Sequence, residues 1–175
     1  VYEKYFDGYN SKTLSGSFSA AKSIISLLIG IALQEGKIKS LEEPVSNYVP
    51  HFKEANLDKV RIVDLLTMSS GTNYKESDKS YFSMNAYGYY GDNEEYMVNK
   101  MEAKEPAGVY WDYRSGDTQV LGLVVEKAFG DNIAHLVSER FLQPMGAEAN
   151  ALWLLDGDQQ HEKAFCCFNG VARDY

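Results

Sequence analysis

Ser19-Ala20-Ala21-Lys22 sets a hydroxyl and an amine three residues apart. On a helix that spacing makes them neighbours, with Cβ atoms roughly 5–6 Å apart. A neutral amine there takes the serine proton and turns the hydroxyl into a nucleophile. A serine in the first helical turn also meets free backbone N–H groups and the positive end of the helix. That end favours charge on the attacking oxygen and loss of the lysine proton, and burial of Lys22 works in the same direction. The tetrapeptide is not specific by itself. The chain has 15 serines and 13 lysines, enough for chance to supply such a pair. The competing reading is an N-cap serine beside a snorkelling lysine. Position favours the chemical reading, because the pair opens the most apolar helical stretch of the chain, where an unpaired lysine is costly.

Tyr113-Arg114-Ser115 is a second constellation. Tyr9-Asn10-Ser11 and Tyr81-Phe82-Ser83 repeat its pattern, but only Tyr113 lies between a turn, Pro106-Ala107-Gly108, and a capped helix. A phenol beside a lysine cation is biased toward phenolate and can act as a base. The competing reading is a tyrosine stacked in a loop.

The elements that must position these groups are legible in outline. Residues 1–9 alternate loosely and read as the end of a strand closed by Asp7-Gly8. The apolar residues of 19–34 cover nearly every face, which predicts a helix buried on all sides and stopped by Gly36. Ser40-Leu41-Glu42-Glu43 reads as a capping box opening a short helix before Pro50. Residues 60–69 predict a second buried helix ended by Gly71. The tyrosine-rich stretch 74–96 reads as a long excursion over the surface or along a cleft. Asp92 can cap a helix to about Ala103. Ser115 or Asp117 caps one to Phe129 with Gly130 as its stop, and Asp131 caps one to Phe141. Residues 151–155 read as a strand.

Composition narrows the function classes. A hydrophobic share of 45% supports a packed core, and 24% charged residues is ordinary. The net charge of −8 and the scattered basic residues give no stripe for a nucleic acid. No apolar run reaches the ~18–20 residues of a membrane span, and no signal peptide opens the chain. Cys166 and Cys167 are adjacent, closer than an ordinary disulfide spans, and read as packed free thiols. His51, His135 and His161 lie far apart in sequence with no ligand-type spacing, so neither a metal nor another cofactor is expected. Asp156-Gly157-Asp158 resembles the start of a calcium loop, but no glutamate follows at the required distance, and it reads as a turn.

Residues 106–122, running from Pro106-Ala107-Gly108 through Tyr113-Arg114-Ser115 to Gly122, closely resemble the second active-site motif of the class C β-lactamase-related serine hydrolases. That group, within the β-lactamase/penicillin-binding-protein superfamily, includes D-peptidases, family VIII esterases and nylon-oligomer hydrolases. The resemblance extends to Ser17-Phe18-Ser19-Ala20-Ala21-Lys22-Ser23, to residues 65–71, and to Ala172-Arg173-Asp174-Tyr175, in order along the chain. It implies an α+β fold of the β-lactamase/transpeptidase-like type: an antiparallel sheet flanked by helices plus a helical subdomain, here mostly the helical part. Residues 1–13 would end a sheet strand, 14–150 would hold the nucleophile helix and helical subdomain, and 151–175 would return toward the sheet.

The resemblance also implies roles. Ser19 would be acylated, Lys22 would share or remove its proton, and Tyr113 would act as base and protonate the leaving group. Ser115 would bind substrate where class C β-lactamases carry asparagine, which points toward the esterase and nylon-hydrolase branches. The Ser19 N–H would supply half of an oxyanion hole. The other half belongs to a strand with Lys or His, any residue, then Gly. No such triplet follows Tyr113, so the chain reads as C-terminally incomplete, with its own missing C-terminal portion as a partner.

The expected activity is therefore hydrolysis, through an acyl-enzyme, of a small-molecule or short-peptide ester, amide, D-peptide or β-lactam. A periplasmic or secreted setting is the family's. The alternatives are a non-catalytic binder or sensor of β-lactams or cell-wall peptides, and an inactive fragment.

Overall fold

The computed structural model describes residues 2–157 and 161–175. It is mostly helical, with a small antiparallel sheet joining the two ends of the described chain. The strands are β1 (Ser15–Gly16), β2 (Leu152–Trp153) and β3 (Phe168–Gly170), in the order β1-β3-β2. Ser15 pairs with Gly170, and Trp153 with Phe168. The ring of Phe168 meets those of Trp153 and Tyr175 edge-on at 5.4 and 5.6 Å, and the Tyr175 hydroxyl donates to the Ser15 carbonyl at 2.6 Å.

The strand expected at the start of the chain is not there. Residues 2–14 form two turns, with Tyr9 N–H donating to Phe6 O and Thr13 N–H to Asn10 O. A strand needs a hydrogen-bonded neighbour, and the described residues offer one only from Ser15 onward; Tyr2 is left 84% exposed.

Between the strands run α1 (Ala21–Gln34), α2 (His51–Glu54), α3 (Ile62–Leu66), α4 (Met84–Tyr90), α5 (Asn93–Tyr96), α6 (Ser115–Phe129), α7 (Ile133–Val137) and α8 (Gln143–Met145). A π-helical turn, Ser138–Leu142, joins the last two.

Helix α1 ends as expected. Gly36 takes φ +70, its N–H reaches Leu33 O, and Lys37 N–H reaches Ala32 O at 2.8 Å, which satisfies the carbonyls left over by the last turn. Its burial differs from the expectation. Ala21, Ile25, Leu28, Ile29 and Ala32 line one buried face, whereas Leu27 on the other side is 58% exposed. The helix packs on α6 and α7 from one side only.

The central helix is α6, where every residue from Ser115 to Val125 is buried. Polar residues here find partners: Gln119 donates to Glu162 O and accepts from Ala164 N–H, and Asp117 Oδ1 accepts from Ser70 Oγ. Close approach also matters. A Cβ on Gly116 would sit 2.5 Å from Met101 Cε and 2.8 Å from Tyr74 Cδ2.

Other boundaries moved for local reasons. Ser40–Glu43 is a turn, not a helix start; Glu43 accepts Lys39 N–H and Ser40 Oγ accepts Glu42 N–H. Pro44 disfavours helical backbone at Glu43, so only a 3-10 turn, Val45–Asn47, follows. Helix α3 stops at Leu66, before Met68 turns to φ +53. Asp92 caps α5 as expected, but the helix ends at Tyr96. Asn132, not Asp131, caps α7. Within the tyrosine-rich stretch, Tyr74 is fully buried while Tyr81 and Tyr90 stand in solvent.

Cys166 and Cys167 are not free thiols. They are bonded to each other, with Cα atoms 3.7 Å apart and Cys167 at φ +74. The Cα separation that argued against a bond is accommodated by this turn. The Asp156-Gly157-Asp158 reading extends onto Asp158, outside the described residues.

Candidate active site

Ser19 lies in a 3-10 turn, Phe18–Ala20, that leads into α1, and Lys22 stands in the first turn of that helix. The turn is tied to the sheet by Ser17 N–H donating to Phe168 O at 2.7 Å. Lys22 Nζ donates to Ser19 Oγ at 2.9 Å and to the Phe165 carbonyl at 2.9 Å. The Tyr113 hydroxyl donates to the same Ser19 Oγ at 2.8 Å. Lys22 Nζ also lies 5.1 Å from the centre of the Tyr113 ring and 5.7 Å from that of Phe165. Three side chains drawn from two parts of the sequence thus meet on one oxygen. Ser19 is exposed, whereas Lys22 and Tyr113 are half-buried, so the deep burial expected for Lys22 is absent.

Tyr113 comes from the segment before α6, and the loop after α3 holds that segment. Asp112 N–H donates to Met68 O at 3.0 Å and Gly108 N–H to Ser69 O at 2.8 Å. The N–H groups of Lys104 and Glu105 both donate to Gly71 O. Gly71 takes φ +73, and a Cβ there would lie 2.2 Å from Glu105 O. Only glycine lets the two loops run this close.

Beneath Tyr113 sits a buried polar cluster. Arg114 is 1% exposed and pairs with Asp112 at 3.2 Å and Glu105 at 3.6 Å, with no hydrogen-bond partner for Nε and Nη1 among the described residues. Asp117 accepts from Ser70 Oγ at 2.7 Å. Burial pushes its carboxyl up to about 7, against the opposing pull of Ser70 and Arg114.

Ser115 does not face the cleft. It is 1% exposed, and its hydroxyl and N–H both go to the carboxylate of Glu76, at 2.9 and 2.8 Å. Glu76 was not singled out in the sequence, because a lone glutamate in a polar loop carries no periodicity or spacing signal.

Among the described residues, no group of three His, Cys, Asp or Glu side chains is gathered to hold a metal ion, and no helix is long and apolar enough to cross a membrane. The three histidines sit apart: His51 on Met101 O, His135 on Asp131, and His161 between Glu126 and Glu94. A cavity of about 730 Å³ lies between the α7–α8 segment and β2, lined by Val137, Leu142, Trp153 and Phe168. It contains none of the three convergent side chains, Ser19, Lys22 and Tyr113.

A family model described as Beta-lactamase matches residues 1–163. No curated protein matches the chain. Among solved structures, one titled "Putative 6-aminohexanoate-dimer hydrolase from Bacillus anthracis" is 26% identical, covering 99% of this chain and 48% of that one, with a TM-score of 0.86. An octameric penicillin-binding protein homologue from Pyrococcus abyssi is 19% identical over 94% of this chain and 43% of its own, at a TM-score of 0.68. A class C beta-lactamase is likewise 19% identical over 94% of this chain and 49% of its own, at 0.68. The chain spans about half the length of these structures.

Proposed function

The chain belongs to the beta-lactamase family, and from that premise we propose that it carries the nucleophile and proton-transfer groups of a serine hydrolase that works through an acyl-enzyme on Ser19. Its architecture is roughly half of the β-lactamase fold. One observation supports the reading above the rest: Ser19 Oγ lies within 2.8 Å of the Tyr113 phenol and 2.9 Å of the Lys22 amine.

In this reading Ser19 Oγ attacks the carbonyl carbon of an ester or amide. Its proton passes to the Tyr113–Lys22 pair, and the Ser19 N–H helps to hold the oxyanion. As the tetrahedral intermediate collapses, the bond to the leaving group breaks and Tyr113 delivers the proton to it. Water then attacks the acyl-serine, gives its proton to Tyr113, and the acid leaves as Ser19 regains its own. Ser115 acts from beneath the site and not on the substrate, since its hydroxyl is held by Glu76. The substrate class is an ester, amide, D-peptide or β-lactam.

The test is covalent. A fluorophosphonate or penicillin probe should leave one adduct on Ser19, read by peptide mass spectrometry, and none on Ser19→Ala. An adduct at another residue, or one that survives that substitution, sinks the proposal. Release of a chromogenic leaving group well beyond one equivalent assigns turnover. Release that stops at one equivalent assigns a sensor that halts at acylation.

A further inference from the structure

The first residue of helix α6 is held by a carboxylate from a distant loop, in addition to Asp117 in the helix's own first turn. Arg114 occupies the cap position with φ −134 and ψ 107 and makes no side-chain bond to the helix. The N–H of Ser115, one of the donors every helix start leaves unpaired, goes to Glu76 Oε2 at 2.8 Å. The Ser115 hydroxyl goes to Oε1 at 2.9 Å. Both oxygens of one carboxylate close on one residue, which fixes orientation as well as position. The positive end of a 15-residue helix holds the anion there.

The connection to Tyr113 is short. Tyr113 lies two residues before Ser115, the first residue of α6, so a bond that fixes Ser115 limits where the phenol can go. Glu76 is braced from behind: its carbonyl accepts from Asn85 Nδ2 at 3.3 Å, and Asn85 Oδ1 accepts from the Tyr74 hydroxyl at 2.8 Å.

Resting on the acyl-serine reading above, we propose that Glu76 is a positioning residue for Tyr113, pinning the first turn of α6 so that the phenol stays over Ser19. The tyrosine-rich excursion thereby acquires a role that its sequence does not announce. It delivers one carboxylate to the start of α6.

The experiment compares wild type, Glu76→Gln and Glu76→Asp in burst and steady-state hydrolysis of a chromogenic ester, with thermal unfolding alongside. Glu76→Gln should lower kcat about tenfold through misplacement of the phenol, with KM within about twofold because Glu76 does not touch substrate. Glu76→Asp, which keeps the charge on a shorter stem, should also lower kcat with KM nearly unchanged.

A Glu76→Gln protein with a lower Tm but unchanged kcat overturns the proposal, as does an effect confined to KM. Should the Gln variant fail to fold, Glu76→Asp decides, and wild-type kcat in that variant overturns it. The Ser19 adduct in wild type separates the two levels. Its absence sinks the acyl-serine reading, while its presence with an indistinguishable Glu76→Gln sinks only the assignment of Glu76.

Discussion

Tyr113→Phe separates two accounts of the phenol oxygen by magnitude. The oxygen lies 2.8 Å from Ser19 Oγ, while the ring lies 5.1 Å from Lys22 Nζ. The substitution deletes the first contact and keeps the second. If the oxygen is only a hydrogen-bond partner, it is worth about 0.5–1.5 kcal/mol, a loss of about tenfold or less in rate. If it is the base that takes the Ser19 proton, its removal costs about 10²–10⁴-fold, or about 3–5.5 kcal/mol. The ranges do not overlap, so one measurement decides. Ser19 keeps its bond from Lys22 at 2.9 Å, and Tyr113 is half-buried, so Tm should fall by no more than about 2–4 °C. The assay is the acylation rate in the burst of a chromogenic ester, with thermal unfolding as the control. A loss of a hundredfold or more with Tm nearly unchanged is expected. A loss under about tenfold would falsify the base role and leave Lys22 as the remaining candidate.

Two further substitutions probe the support of the site. The carboxyl of Asp117 is raised from 3.8 to about 7 by burial. Its contribution to stability is therefore complete below about pH 3.8 and lost as pH rises through about 7, about 4 kcal/mol across that window. Asp117→Asn, whose amide oxygen can still accept from Ser70, should flatten this slope in urea unfolding between pH 4 and 8; equal slopes in the two proteins reject the assignment. Gly71→Ala places a Cβ 2.2 Å from Glu105 O at φ +73. It should cost about 2–4 kcal/mol and slow acylation, because the loop it distorts carries Tyr113; a variant melting with wild type contradicts that geometry.

Local pattern was enough wherever chemistry depends on neighbours in sequence. The Ser19–Lys22 pairing follows from helical spacing, and the 2.9 Å contact realises it. The stops at Gly36 and Gly130 follow from the freedom of glycine at positive φ, +70 and +69. Tyr113 is a different case. It is 94 residues from Ser19, and only the resemblance of its surroundings to a known motif singled it out.

The tertiary structure decided what depends on partners. Residues 19–34 are apolar all round, yet α1 buries one face, because α6 and α7 cover it from one side. Helix α6 opens with serine, glycine, aspartate, threonine and glutamine and is nevertheless the buried centre, since Ser70, Glu76 and Glu162 supply its hydrogen bonds. Periodicity counts apolar side chains and is blind to a polar atom satisfied from a distant loop. For the same reason Glu76 was invisible: its bond to Ser115 spans 39 residues. Sequence alone singled out Ser19 and Lys22 as the proposed nucleophile and its amine; which groups hold the Tyr113 phenol over them is a property of the packed chain, because contacts between remote segments exist only once the chain has closed on itself.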